Sequence, residues 1–158
     1  MTQDEFANRI VAMQDTLYRV STTILSQICD REDAVQATIE KAWKKQHLLR
    51  NDDAIKAWVV RILINECYSQ LRLRKREVLT DTIAERETAP DAAPDVYQLF
   101  TSLDERYRLP MVLYYVEGYS VKETAHMLKM PQGTLKSRLY RGRLLLKDTL
   151  VTLEEVCE

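Results

Sequence analysis

"MPQGTLKSRLYRGRLLLK" (130–147) carries five cations, Lys136, Arg138, Arg141, Arg143 and Lys147, no acid, and a leucine every three or four residues. Leu135, Leu139, Gly142 and Leu146 recur at spacings of four, three and four, which lines them along one face of an α-helix. Rotation by about 100° per residue turns Lys136, Ser137, Tyr140 and Arg141 towards the other side. Pro131 suits the helix start, where its missing N–H forfeits no bond.

The residues just upstream give this helix a companion. Ser120 opens "SVKETAHML" (120–128) with Glu123 three positions on, a capping box, and predicts a helix of about two turns from Val121 to Leu128. "KMP" then turns the chain. Two short helices joined by a turn of three or four residues, the second one basic, are the sequence form of a helix-turn-helix. The major groove of duplex DNA admits one helix and presents acceptors on its base edges, while flanking phosphates reward lysine and arginine. A merely solvated basic face would explain the charges, but neither the lack of acids across 132–147 nor the capped helix before them.

Further upstream, a helix is expected from Glu105 to Glu117, with Pro110 either in its first turn or kinking it and Gly118 as a left-handed cap. Another is expected near 96–103. "TDTIAERETAPDAAPD" (80–95) is acidic, holds two of the four prolines and shows no sustained apolar period, the composition of a linker. Before it, Phe6, Ile10, Met13, Leu17, Val20 and Ile24 predict one amphipathic helix. "DREDAVQATIEKAWKK" (30–45) predicts a second, with Asp30 as N-cap, acids in its first turn, lysines in its last, and a face of Ala34, Val35, Thr38, Ile39, Ala42 and Trp43. "RNDD" (50–53) interrupts, and a third helix runs from about Ala54 into the basic "LRLRKR" (71–76). The fold class is therefore all-α: two small helical domains joined by a flexible linker, the C-terminal one a helix-turn-helix.

The composition agrees. Three glycines and four prolines in 158 residues, with 46% hydrophobic content, suit a mostly helical globular chain. The net charge of −1 conceals opposed blocks: 13 Lys/Arg against 11 Asp/Glu in 1–80, one against five in 81–102, nine against five in 103–149, and none against three in 150–158. Cys29, Cys67 and Cys157 have neither CxxC spacing nor a histidine pair nearby, which argues against a disulfide framework and a zinc site. The polar start "MTQDEFANRI" is unlike a secretory signal, and no apolar run approaches the roughly 18 residues of a membrane span. A reducing cytoplasm is the expected setting.

The residues from Leu103 to Lys147 resemble the C-terminal domain of the extracytoplasmic-function (group IV) sigma factors of bacterial RNA polymerase, and "DREDAVQATIEKAWKK" and "AWVVRILINECYSQLRLRKR" (57–76) resemble the two main helices of their N-terminal domain. The likeness covers nearly the whole chain in family order. It implies a region 2 domain over 1–79, an acidic linker over 80–96 and a region 4 helix-turn-helix domain over 97–158. Asp30, Asp33, Gln36, Lys41 and Trp43 would lie on the helix that docks on the polymerase. Asn51 within "HLLRNDD" (47–53), with Arg61, Asn65, Arg72, Arg74, Lys75 and Arg76, would hold the single-stranded minus-ten element. Gly133, Thr134, Lys136, Ser137, Tyr140 and Arg141, with Lys122 from the preceding helix, would read the duplex minus-thirty-five element.

The implied partners are core RNA polymerase, through its beta-prime clamp and beta flap, promoter DNA, and an anti-sigma factor. The free chain would be a monomer without cofactor, metal, membrane insertion or catalytic activity. Lys129 stands in a turn where a glycine is usual in the family, Ala37 replaces a frequent acid on the polymerase-binding helix, and Ser69 replaces an acid between Asn65 and Arg72. The rival class is a helix-turn-helix regulator that binds operators as a dimer without polymerase; it leaves "DREDAVQATIEKAWKK" unexplained. A helical adaptor that binds only protein is another. An enzyme is disfavoured, since there is no glycine-rich phosphate loop and His47 and His126 fall in different domains without an evident nucleophile. Cys67, on an apolar helix face, is expected to be a buried, inert thiol.

Overall fold

The structure, a computed structural model, describes residues 1–77 and 99–156, with side chains for 1–76 and 99–150. The described residues are mostly helical and include no strand, as the all-α reading expects. The chain divides into two compact units, Met1–Pro90 and Asp91–Glu158. The proposed linker, 80–96, and Cys157 lie outside the described residues.

The first unit is built from α1 (Gln3–Ala12), α2 (Gln14–Ile24), α3 (Ile28–Lys44) and α4 (Ile55–Glu77), with 3₁₀ turns at Gln46–Leu48 and Asp52–Ala54. Thr2 and Glu5 close a reciprocal capping box at the start of α1. The single helix expected from Phe6 to Ile24 is instead two. Met13, at φ −92° and ψ −1°, donates its N–H to the Ile10 carbonyl at 3.0 Å, a tightened i→i−3 bond that interrupts the α-ladder. The apolar stripe survives the break, because Phe6, Ile10, Met13, Leu17, Val20 and Ile24 are all buried.

Helix α4 supplies the centre of this unit. Val59, Val60, Leu63 and Cys67 are wholly buried against α2 and α3, and each large aliphatic side chain so buried is worth about 1.5–3 kcal/mol. On α3 the expected face is seen in Ala34, Val35, Thr38 and Ala42, with Ile39 half-buried at its margin. The Thr38 hydroxyl donates to the Ala34 carbonyl at 2.7 Å, which allows a polar side chain at zero exposure.

Asp30 is not the N-cap of α3. The helix begins at Ile28 after an extended Gln27 that makes no side-chain cap bond. Asp30 lies in the first turn and points inward, where the Arg74 guanidinium claims it. Arg31, only 3% exposed, donates Nε–H to the Leu25 carbonyl at 2.9 Å and thereby closes the C-terminal end of α2.

The second unit is built from α5 (Glu105–Met111), a π-helical turn (Val112–Val116), α6 (Val121–Leu128) and α7 (Gln132–Val156). Pro110 stands near the end of α5 rather than in its first turn. It has no N–H for the ladder, and the chain directly after it slips to i→i−5 bonding, with the Glu117 N–H on the Val112 carbonyl at 3.0 Å. Gly118 then takes φ +78°, the left-handed position expected of it. Ser120 caps α6 by accepting from the Glu123 N–H at 3.1 Å.

Leu135 and Leu139 of α7 enter the core formed by Phe100, Leu103, Met111, Val112 and Ala125. Gly142 extends the same face by having no side chain: a Cβ there would lie 2.9 Å from Met111 Cγ and Sδ. Glycine at this point lets α7 close upon α5.

Candidate nucleic-acid and polymerase interfaces

The turn between α6 and α7 is made by Lys129, at φ 56° and ψ 45°, the left-handed conformation that favours glycine. Such a conformation costs a residue with a Cβ about 1–2 kcal/mol. The Met130 N–H bonds back to the Ala125 carbonyl at 3.0 Å, and the Leu135 N–H closes the first turn of α7 on the Pro131 carbonyl at 3.1 Å. The short turn thus fixes where α7 starts.

With Leu135 and Leu139 driven inward, the periodicity of α7 leaves Gly133, Thr134, Lys136, Ser137, Tyr140 and Arg141 exposed, and Lys122 is exposed on α6. Lys136 and Arg141 make no hydrogen bond or ion pair among the described residues. Ser137 donates to the Gly133 carbonyl at 3.1 Å and keeps its oxygen outward as an acceptor. Nothing lies within 4 Å of a Cβ placed on Gly133, so the protein's own packing does not demand a glycine there. The face is one of unoccupied donors beside an exposed aromatic ring, suited to a polar, anionic surface.

The corresponding residues of the first unit are less uniform. Arg61, Asn65, Arg72 and Arg76 recur at four, seven and four along α4, and share one face about 22 Å long. Asn65, Arg72, Lys75 and Arg76 are exposed and Arg61 is half-buried. Arg72 donates to Ser69 Oγ at 3.0 Å, so the serine orients the arginine.

Arg74 departs from the set. Its Nε lies 2.5 Å and its Nη2 3.1 Å from the two carboxylate oxygens of Asp30, so the pair is bidentate. Residues assigned by resemblance to DNA and to polymerase are therefore bound to each other. The 3.6-residue period already separates Arg74 from Arg72 and Arg76; reading "LRLRKR" as one basic block conceals this.

Asn51 is exposed and its side-chain oxygen accepts from the Asp53 N–H at 3.0 Å, which makes it the cap of a 3₁₀ turn. On α3, Asp33 and Gln36 are exposed, and Gln36 borders a groove of about 310 Å³ with Tyr18, Val35 and Ile39. Lys41 is paired with Glu66 of α4. Trp43 is 44% exposed while its ring lies 6.1 Å from that of Phe6, so it is neither fully core nor free.

Cys67 is the buried thiol its helix face predicts, and burial, with Glu66 nearby, pushes it up to about 12. His47 and His126 are both exposed. No cluster of three or more metal-ligating side chains and no helix long and apolar enough to cross a membrane is found among the described residues. Sequence reasoning overlooked Arg31, whose buried bonds to carbonyls leave no periodic signal, and Tyr115, whose hydroxyl accepts from Arg143 Nη1 at 2.9 Å.

Residues 10–77 match the Sigma-70 region 2 family and residues 95–146 the Sigma-70, region 4 family. The chain is 33% identical over 119 residues to the ECF RNA polymerase sigma factor SigM of Mycobacterium tuberculosis, covering 72% of this chain and 61% of that protein's length. It is 24% identical to the ECF RNA polymerase sigma factor SigW of Bacillus subtilis, over 94% of this chain and 90% of SigW. Among solved structures, the sigma factor RpoE of Bartonella quintana, determined in complex with the anti-sigma factor NepR, superposes with a TM-score of 0.76 at 30% identity, over 92% of this chain and 96% of RpoE. Region 2 and region 4 in that order, on helices that place their donors outward, make this chain a member of the extracytoplasmic-function sigma factors of the sigma-70 family.

Proposed function

We propose that this chain acts in the cytoplasm as a sigma factor: it binds core RNA polymerase and gives that enzyme its promoter specificity, performing no covalent chemistry itself. The observation that carries the proposal is the outward face of α7, where Lys136, Tyr140 and Arg141 stand exposed on the helix that buries Leu135 and Leu139. A helix anchored in this way presents its first turns to the major groove. In the first unit, the row Arg61, Asn65, Arg72 and Arg76 serves the melted minus-ten strand, where a cationic track and base contacts offset a cost of a few kcal/mol per unstacked base. Asp33 and Gln36 on the exposed side of α3 serve the polymerase clamp. Asp30 and Arg74 support this surface from within through their mutual ion pair.

Each unit offers a modest number of contacts, so tight promoter binding arises when polymerase joins the two through effective concentration. An anti-sigma factor that covers the exposed faces of α3 and α7 would hold the chain inactive, in keeping with the complex in which the RpoE relative was solved. Transcription in vitro with core polymerase plus this chain on a genomic library tests the proposal directly. Run-off products sharing an upstream and a downstream motif are expected. Nanomolar, sequence-specific DNA binding by the purified chain without polymerase would overturn it in favour of an operator-binding regulator.

A further inference from the structure

The exposed cations of α7 do not end at Arg141. Lys136, Tyr140, Arg143 and Lys147 recur at four, three and four and lie on one side of the helix, all exposed. Arg143 comes 11 residues after the start of α7 at Gln132, about 16 Å along the axis. A major groove about 12 Å wide takes in only the first turns of such a helix. Further along, the same row meets the phosphate wall, not base edges.

Arg143 is also the cation of this row that the protein orients. Its Nη1 donates to the Tyr115 hydroxyl at 2.9 Å, and its guanidinium carbon lies 5.9 Å from the centre of the Tyr140 ring. Tyr115 is itself braced: its ring stacks on that of buried Phe100 at 6.4 Å and meets Tyr114 edge-on at 4.9 Å. It sits in the π-helical turn that follows Pro110, an irregularity that often marks functional positions because it re-aims side chains. The hydroxyl occupies one of the five guanidinium N–H groups and leaves the others for an acceptor.

We infer that Tyr115 is a positioning residue for a phosphate contact made by Arg143: the hydroxyl, set by the π turn, fixes the guanidinium where α7 leaves the groove. The inference rests on the reading of α7 as the duplex-contacting helix. It predicts a sequence-independent contribution to promoter binding from two residues outside the base-reading set.

The test uses a duplex recovered from a randomised pool by core polymerase plus the wild-type chain, with affinity measured across salt concentrations for the full-length variants on polymerase. Arg143→Ala should lower affinity about threefold to tenfold on every upstream sequence and reduce the log–log salt slope by about one, the signature of one lost phosphate contact. Tyr115→Phe, which keeps the ring stacked on Phe100, should lower affinity about twofold to fivefold in the wild-type background and have no further effect beside Arg143→Ala, as coupled residues do. Purely structural bracing would instead lower the melting temperature and leave the salt slope unchanged, which overturns the inference, as does a Tyr115→Phe effect that persists in full without Arg143. Recovery of no duplex at all would sink the sigma-factor reading as well, whereas recovery with an unchanged slope in Arg143→Ala removes this inference alone.

Discussion

The basic end of α4 and the basic row of α7 look alike as strings, yet the fold uses them differently. In "LRLRKR" one arginine of three, Arg74, turns inward to Asp30 and joins α4 to α3, while Arg72 leans on Ser69. In "LKSRLYRGR", Lys136 and Arg141 are unpartnered among the described residues, and Arg143 is aimed by a tyrosine from another element. Cationic density marks a helix as a candidate for anion contact. Partners across the bundle decide which cations remain available.

The largest expected effect sets two adjacent residues of α7 against each other. Leu135→Ala, at a site with no exposure, should destabilise the second unit by about 2–5 kcal/mol in denaturant unfolding. Lys136→Ala or Arg141→Ala should leave unfolding within about 0.5 kcal/mol of wild type while costing promoter recognition by polymerase about 1–3 kcal/mol per lost base contact. Unchanged transcription from the chain's own promoters in both cation variants would break the contrast.

Asp30→Ala comes next. It removes the carboxylate partner of the Arg74 guanidinium, whose side chain is 39% exposed beside a carboxylate at 12%, so the loss should be about 1–2 kcal/mol, less than for a fully buried pair because water screens part of the charge. A double-mutant cycle with Arg74→Ala measures the coupling, and a coupling near zero would return Arg74 to the solvent-facing set.

Alkaline titration gives a smaller effect in the first unit. The Cys67 thiol is raised from 9.0 to about 12 in the fold, so above pH 9 the unfolded chain binds fewer protons than the folded one. The stabilisation is complete below pH 9 and is lost as pH rises towards 12, about 1.4 kcal/mol by pH 10. Unfolding of Cys67→Ala should show a shallower decline over that range than wild type. Smallest is Lys129→Gly, which relieves the left-handed strain in the turn and should raise stability by about 0.5–1 kcal/mol without altering promoter choice.

Much of this protein was legible from periodicity alone. Leu135, Leu139 and Gly142 had to face a core because three- and four-residue spacing admits no other helix, and the outward side of α7 followed by rotation. Gly118 and Ser120 announced a cap and a start through local backbone chemistry. The all-α class, the helix-turn-helix and the exposure of Lys136 and Arg141 are consequences of interactions within a few residues of chain.

What needed tertiary structure is what depends on residues far apart in sequence. Asp30 and Arg74 stand 44 positions apart, and Arg143 and Tyr115 stand 28 apart; no local pattern pairs them. The break at Met13 also left no mark on the apolar stripe, which reads the same with or without it, whereas the irregularity after Pro110 follows from a proline the sequence displays. Local periodicity determined which faces are apolar and which are charged. Only the packing of one helix on another decided which charges are spent inside the protein and which are left for a partner.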